Sequence, residues 1–168
     1  MNKKILLLVL VLLLILIALY VGQNPPMSFL KNKTGLAPDF TLHDIYGKKF
    51  QLSSQRGYPV VIFFGTTWCP QCRSEMKFLK ARYDQYVQRG LKIIYIDINE
   101  SVERVSRFTQ QNSYPGVILL DLDGSVAYEY GVQGVPTIIL VDATGTIKGE
   151  GRTVSDLSLN VLFPDNIK

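Results

Sequence analysis

The chain has 168 residues, 47% of them hydrophobic and 19% charged, so it can bury one core of ordinary size and asks for no second domain. Its formal charge of +4 comes from 18 basic and 14 acidic residues, and Lys3 and Lys4 supply two of the basic ones. The remainder is close to balance and carries no basic block interleaved with aromatics, which argues against nucleic acid as a partner despite a pI near 9.0.

Residues 1–22 read as two cytoplasmic lysines and a membrane anchor. Ile5 to Val21 is an unbroken apolar run that as a helix extends roughly 26 Å at about 1.5 Å per residue, close to the thickness of a hydrocarbon core. It has no polar face to show to water. A cleaved signal peptide is the main alternative, but the run leaves through Ala18-Leu19-Tyr20-Val21 without an Ala-x-Ala-like site. Lys3 and Lys4 ahead of it keep the N-terminus in the cytoplasm and send the rest across. Residues 23–35, with Pro25-Pro26 and Gly35, read as a linker.

Residues 36–168 read as one α/β domain. Phe40-Thr41-Leu42 and Phe50-Gln51-Leu52 flank the turn-like Tyr46-Gly47 and predict a short hairpin. Val60 to Phe64 is a buried strand by composition. From Pro70 to about Arg89, apolar residues at 76, 79, 83, 86 and 87 recur at helical spacing, and Gly90 ends the helix. Leu91 to Ile98 predicts a strand, Val102 to Gln111 a helix and Val117 to Leu120 a strand. Thr137 to Val141 and Thr146 to Gly149 flank a turn with Gly145 left-handed, and Val154 to Leu162 closes the chain as a helix. Strands separated by helices, then a hairpin, predict a mixed sheet with helices on both faces.

The chain's two cysteines, Cys69 and Cys72, lie three apart at the start of the predicted helix. Residues i and i+3 of a helical turn bring their Cβ atoms to roughly 5–6 Å, close enough for a disulfide. A zinc site would need two more ligands, and the chain offers one histidine, His43, and no ligand-like carboxylate cluster. A purely structural bridge is a second alternative, although so short a loop constrains the unfolded chain by only about 2 kcal/mol. A redox pair accounts for both the spacing and the helix start. Cys69 at the helix edge, where unpaired N–H groups and the dipole favour a thiolate, is the expected nucleophile. Pro70 fills the first helical position, Cys72 is the expected resolving thiol, and Trp68 either covers the pair as an apolar surface or is a core aromatic.

Gly65-Thr66-Thr67-Trp68-Cys69-Pro70-Gln71-Cys72-Arg73-Ser74-Glu75 resembles the active-site segment of thioredoxin-like proteins of the TlpA, ResA and cytochrome c maturation group. The short anchored form also resembles the suppressor-of-copper-sensitivity proteins. The similarity runs from about Ala37 to Gly151, including Ala37-Pro38-Asp39-Phe40 and Gly131 to Thr137. It implies a thioredoxin-like fold in which Pro136 is cis beside the disulfide, whereas a trans proline opening a strand is the ordinary alternative. Val135, held extended before it, would pair with a partner's peptide as an added strand, so Trp68, Pro70, Val135 and Pro136 form the expected substrate surface.

For Glu75 the resemblance implies proton exchange with Cys72; a solvated glutamate near a helix start is the plain alternative. Thioredoxin's own buried acid, on the strand before the motif, is replaced here by Phe63. The implied activity is thiol-disulfide exchange with protein thiols and disulfides outside the cytoplasm, as a reductant and monomer. It needs no cofactor or metal beyond the Cys69-Cys72 disulfide, and draws electrons from a membrane or extracytoplasmic partner. An oxidant or isomerase of the same fold, and an anchored binding module with a static disulfide, are the alternatives. Peroxiredoxins share the fold, and Thr66 is spaced as their threonine is, but Ile62 stands where their motif needs proline.

Overall fold

The computed structural model describes residues 10–13 and 35–163. The expected anchor at 5–21 and linker at 23–35 lie outside the described residues, apart from 10–13, which are helical, and Gly35. No helix among the described residues is long and apolar enough to cross a membrane.

The elements are β1 (Gly35–Leu36), β2 (Thr41–Asp44), β3 (Lys49–Gln51), β4 (Val60–Gly65), α1 (Pro70–Val87), β5 (Lys92–Ile98), α2 (Val102–Gln111), β6 (Val117–Asp121), α3 (Ser125–Glu129), β7 (Thr137–Val141), β8 (Thr146–Gly151) and α4 (Asp156–Asn160). The strands form one sheet in the order β1-β8-β7-β4-β5-β6-β2-β3. β4, β5 and β6 run parallel, and the remaining pairs are antiparallel. This is the expected mixed sheet.

β4 is buried along its whole length because both its faces are covered, which is why it reads as a continuous apolar run. Val60, Ile62 and Phe64 pack on one face with Phe40, Leu52, Tyr130 and Ile139. Val61 and Phe63 pack on the other with Cys72, Met76, Leu79, Tyr95 and Leu159. The cysteines therefore belong to the layer that α1 presses onto the sheet.

Three local differences from the sequence reading have simple causes. Leu52 leaves the strand to open a 3-10 turn over Leu52–Gln55, and its side chain is buried beneath. α3, with no apolar periodicity long enough to announce it, is held by buried Asp121, whose oxygens accept the N–H groups of Val126 and Ala127 at 3.3 and 2.8 Å. α4 begins only at Asp156, capped by a reciprocal Ser155–Ser158 box, since the N–H of Val154 is given to Glu75 instead.

Candidate active site

α1 starts abruptly because Cys69 is extended (φ −80°, ψ 110°) and Pro70 follows it, so the chain enters the helix with its first N–H groups unpaired. Cys69 Sγ takes one of them, accepting the N–H of Cys72 at 3.0 Å. The two cysteines are joined as a disulfide, with Cα atoms 5.3 Å apart. Cys72 is fully buried and Cys69 is 4% exposed, so Cys69 is the sulfur that a partner can reach. When the bond is reduced, the same N–H and the helix dipole favour negative charge on Cys69.

The loop before the cysteines is tied from two sides. At the end of β5, Asn99 takes a left-handed conformation (φ 57°), which asparagine tolerates better than most residues, and the chain turns so that Glu100 reaches back to the loop. Its Oε2 accepts the Thr67 N–H and its Oε1 the Thr67 hydroxyl, at 2.5 and 2.7 Å. Arg104 Nε, on α2, bridges Glu100 Oε1 at 2.7 Å and Thr67 Oγ1 at 3.2 Å. From α1, Arg73 donates to the Thr67 carbonyl at 3.3 Å.

Beneath this loop lies a second carboxyl. Asp97 is 1% exposed and stands in register with Gly65, the last residue of β4. Alternation along β5 puts it on the same sheet face as Ile93 and Tyr95, the face that α1 covers. Among the described residues neither Asp97 oxygen has a hydrogen-bond donor. Burial first, and the Glu100 charge second, push its carboxyl up to about 8, against the pull of Arg104. Two ionised carboxylates cannot bond each other, so Asp97 meets Glu100 favourably only while it holds a proton. The Tyr95 hydroxyl is also buried without a partner among the described residues, and burial, then the Asp97 charge, raise its pKa.

Outside, an open groove of about 1130 Å³ runs past Trp68, Cys69, Tyr128, Val135 and Arg152. Trp68 is 60% exposed, so it forms groove wall rather than core. The Val135-Pro136 peptide is cis, as expected, and both residues belong to the segment between α3 and β7. The Val135 carbonyl accepts from Arg152 Nη2 at 2.8 Å.

A profile of the AhpC/TSA family matches residues 34–149, the span that carries β4, the cysteine pair and Pro136. The chain belongs to this family. Among its relatives, "Thiol-disulfide oxidoreductase ResA" of Bacillus thuringiensis subsp. konkukian is 35% identical over 118 residues, covering 68% of each chain. The protein of that name from Geobacillus thermodenitrificans is 32% identical over 126 residues, 72% of each. A solved thiol:disulfide interchange protein of the thioredoxin family from Chlorobium tepidum superposes with a TM-score of 0.64 at 25% identity, over 79% of this chain and 96% of that one. The protein is a thiol-disulfide oxidoreductase of the ResA-like group.

In this oxidoreductase Trp68, Cys69, Pro70 and Val135 line one groove, Cys72 is buried behind Cys69, and Pro136 follows Val135 through the cis peptide. Glu75, one turn along α1 from Cys72 and half-buried, accepts the Val154 N–H at 2.9 Å and ties the helix to the segment after β8. Ile62, where a peroxidase motif needs proline, is fully buried in β4. Three site residues went unread in the sequence: Asp97, Glu100 and Arg152. A strand that is apolar except for one aspartate near its end, as in Ile93-Ile94-Tyr95-Ile96-Asp97, was the available signal for Asp97, since a lone charge in a buried strand asks for a reason. Nothing local marked Arg152.

Proposed function

We propose that the protein reduces disulfides of extracytoplasmic protein partners, with Cys69 as nucleophile and Cys72 as resolving thiol. The Cys69 thiolate attacks one sulfur of a partner disulfide. A bond forms between Cys69 and that sulfur, the partner's own S–S bond breaks, and the released partner thiolate takes a proton. Cys72, having lost its proton, attacks Cys69 Sγ; the mixed disulfide breaks, the second partner thiol leaves, and Cys69-Cys72 ends oxidised with two electrons passed to the partner. A thiol donor in or outside the membrane restores the dithiol.

The observation that carries this reading is the asymmetry of the pair: Cys69 opens on the groove with an N–H directed at its sulfur, while Cys72 is buried behind it. Trp68, Pro70, Val135 and Pro136 form the docking surface, and Glu75 exchanges the proton of Cys72. The reductant direction and a setting in cytochrome c maturation are supported by likeness to the ResA group, and the apolar run at 5–21 supports an anchor that holds the domain outside the cytoplasm. The full-length Cys72→Ser protein, expressed in its native envelope, should collect partners as mixed disulfides on Cys69, and Cys69→Ser should collect none. A Cys69-Cys72 bond that excess glutathione cannot reduce, with no captured partner, would favour a static module.

A further inference from the structure

Resting on that reading, we propose that Arg152 selects partners that carry an aspartate or glutamate next to the attacked cysteine. The groove offers an incoming peptide one open backbone edge, at Val135. The Val135 N–H donates to no group among the described residues, so it is open to a carbonyl of an incoming strand. The Val135 carbonyl is already engaged by Arg152 Nη2 at 2.8 Å. The guanidinium is thereby anchored where a bound peptide would lie, although the side chain stands exposed on the segment after β8.

That anchoring uses one of five N–H donors in a planar fork, and the others remain suited to a carboxylate. Among the described residues no carboxylate forms an ion pair with Arg152. Gly134 makes the room, since a Cβ there would lie 3.2 Å from Arg152 Nη1.

The charges of the groove set its polarity. Glu100 is committed to Thr67 and Arg104. Asp123 lines the groove too, and its carboxyl is held below the usual range by its hydrogen bonds to Ser125, so it stays ionised. A partner's acidic residue is therefore drawn to the Val135 end and repelled at the Asp123 end, which orients the peptide as well as selecting it.

The test uses full-length reduced protein and two peptide disulfides that differ only by Asp or Asn beside the cysteine. The wild type should react with the Asp peptide three- to tenfold faster in kcat/KM, chiefly through KM, with the preference shrinking as salt rises. Arg152→Gln can still donate to the Val135 carbonyl but has lost its charge, and it should bring the ratio close to one; Arg152→Lys should keep part of it. An unchanged ratio in Arg152→Gln, with both peptides slowed alike, would mean that Arg152 only props the loop, and a wild type without preference overturns the proposal equally. Failure of the wild type to reduce hydroxyethyl disulfide, a small uncharged disulfide, would instead remove the exchange reading on which it rests.

Discussion

Glu100 holds Thr67 twice, one carboxylate oxygen on its N–H and the other on its hydroxyl, two residues before Cys69. Both residues are buried, so losing the carboxylate leaves two Thr67 donors without partners and frees the loop that aims the nucleophile. Glu100→Ala should cost about 2–6 kcal/mol in urea unfolding, at about 1–3 kcal/mol for each of the two buried groups left unpaired. Glu100→Gln keeps one acceptor oxygen and should cost clearly less. Equal and negligible losses in both variants would show that the clamp contributes nothing.

Asp97 gives stability a pH dependence of definite sign. An acid whose folded pKa, about 8 here, exceeds its unfolded value near 4 binds its proton more tightly in the fold. The stability it contributes is fully present below about pH 4, declines by up to about 1.4 kcal/mol per pH unit above that, and is gone once pH passes about 8. Asp97→Asn, neutral at every pH and able to donate to Glu100, should flatten the slope and leave the variant more stable than wild type at pH 9. Parallel pH profiles for the two proteins would refute the assignment.

Gly65 is small because Tyr95 is large. A Cβ at 65 would run into the Tyr95 hydroxyl and come within 2.8 Å of the ring carbon that bears it. The ring cannot retreat, since it stacks on Phe63 at 5.3 Å and meets Tyr114 at 5.2 Å. Gly65→Ala should destabilise by about 1–3 kcal/mol through overpacking. Tyr95→Phe, which removes a buried hydroxyl without a partner among the described residues, should be neutral or stabilising, and should recover part of the loss in the double variant. A Gly65→Ala protein as stable as wild type would contradict the packing.

The proton that leaves Cys72 has two candidate acceptors. Glu75→Gln should slow resolution of the mixed disulfide while Cys69 still captures a partner, as read by the fluorescence of Trp68, the single tryptophan. If resolution is unaltered in Glu75→Gln but changes its pH profile in Asp97→Asn, Glu75 serves only to anchor Val154 and the proton belongs to Asp97.

The long elements were legible because local chemistry announced them. β4 is apolar throughout since both faces are covered, Pro70 and Gly90 bracket α1, and Gly145 (φ 85°) turns the last hairpin. α3 escaped notice because five residues hold no helical period and the cap comes from Asp121, outside the helix. Within the site, the resemblance singles out Glu75, and one of its carboxylate oxygens accepts the N–H of Val154, a partner 79 residues away that no local pattern points to.

Two cysteines three apart at the start of a proline-led helix already set one sulfur against free N–H groups, because that depends only on residues within one helical turn. Which carboxyls surround that turn depends on how the strands pair. Asp97 is brought beneath the loop by the parallel register of β4 and β5, Glu100 by the turn at Asn99, and Arg152 is brought to Val135 by the pairing of β7 with β8. Burial and charge act through space, and those neighbours are assembled by strand pairing across 17 to 33 residues of chain.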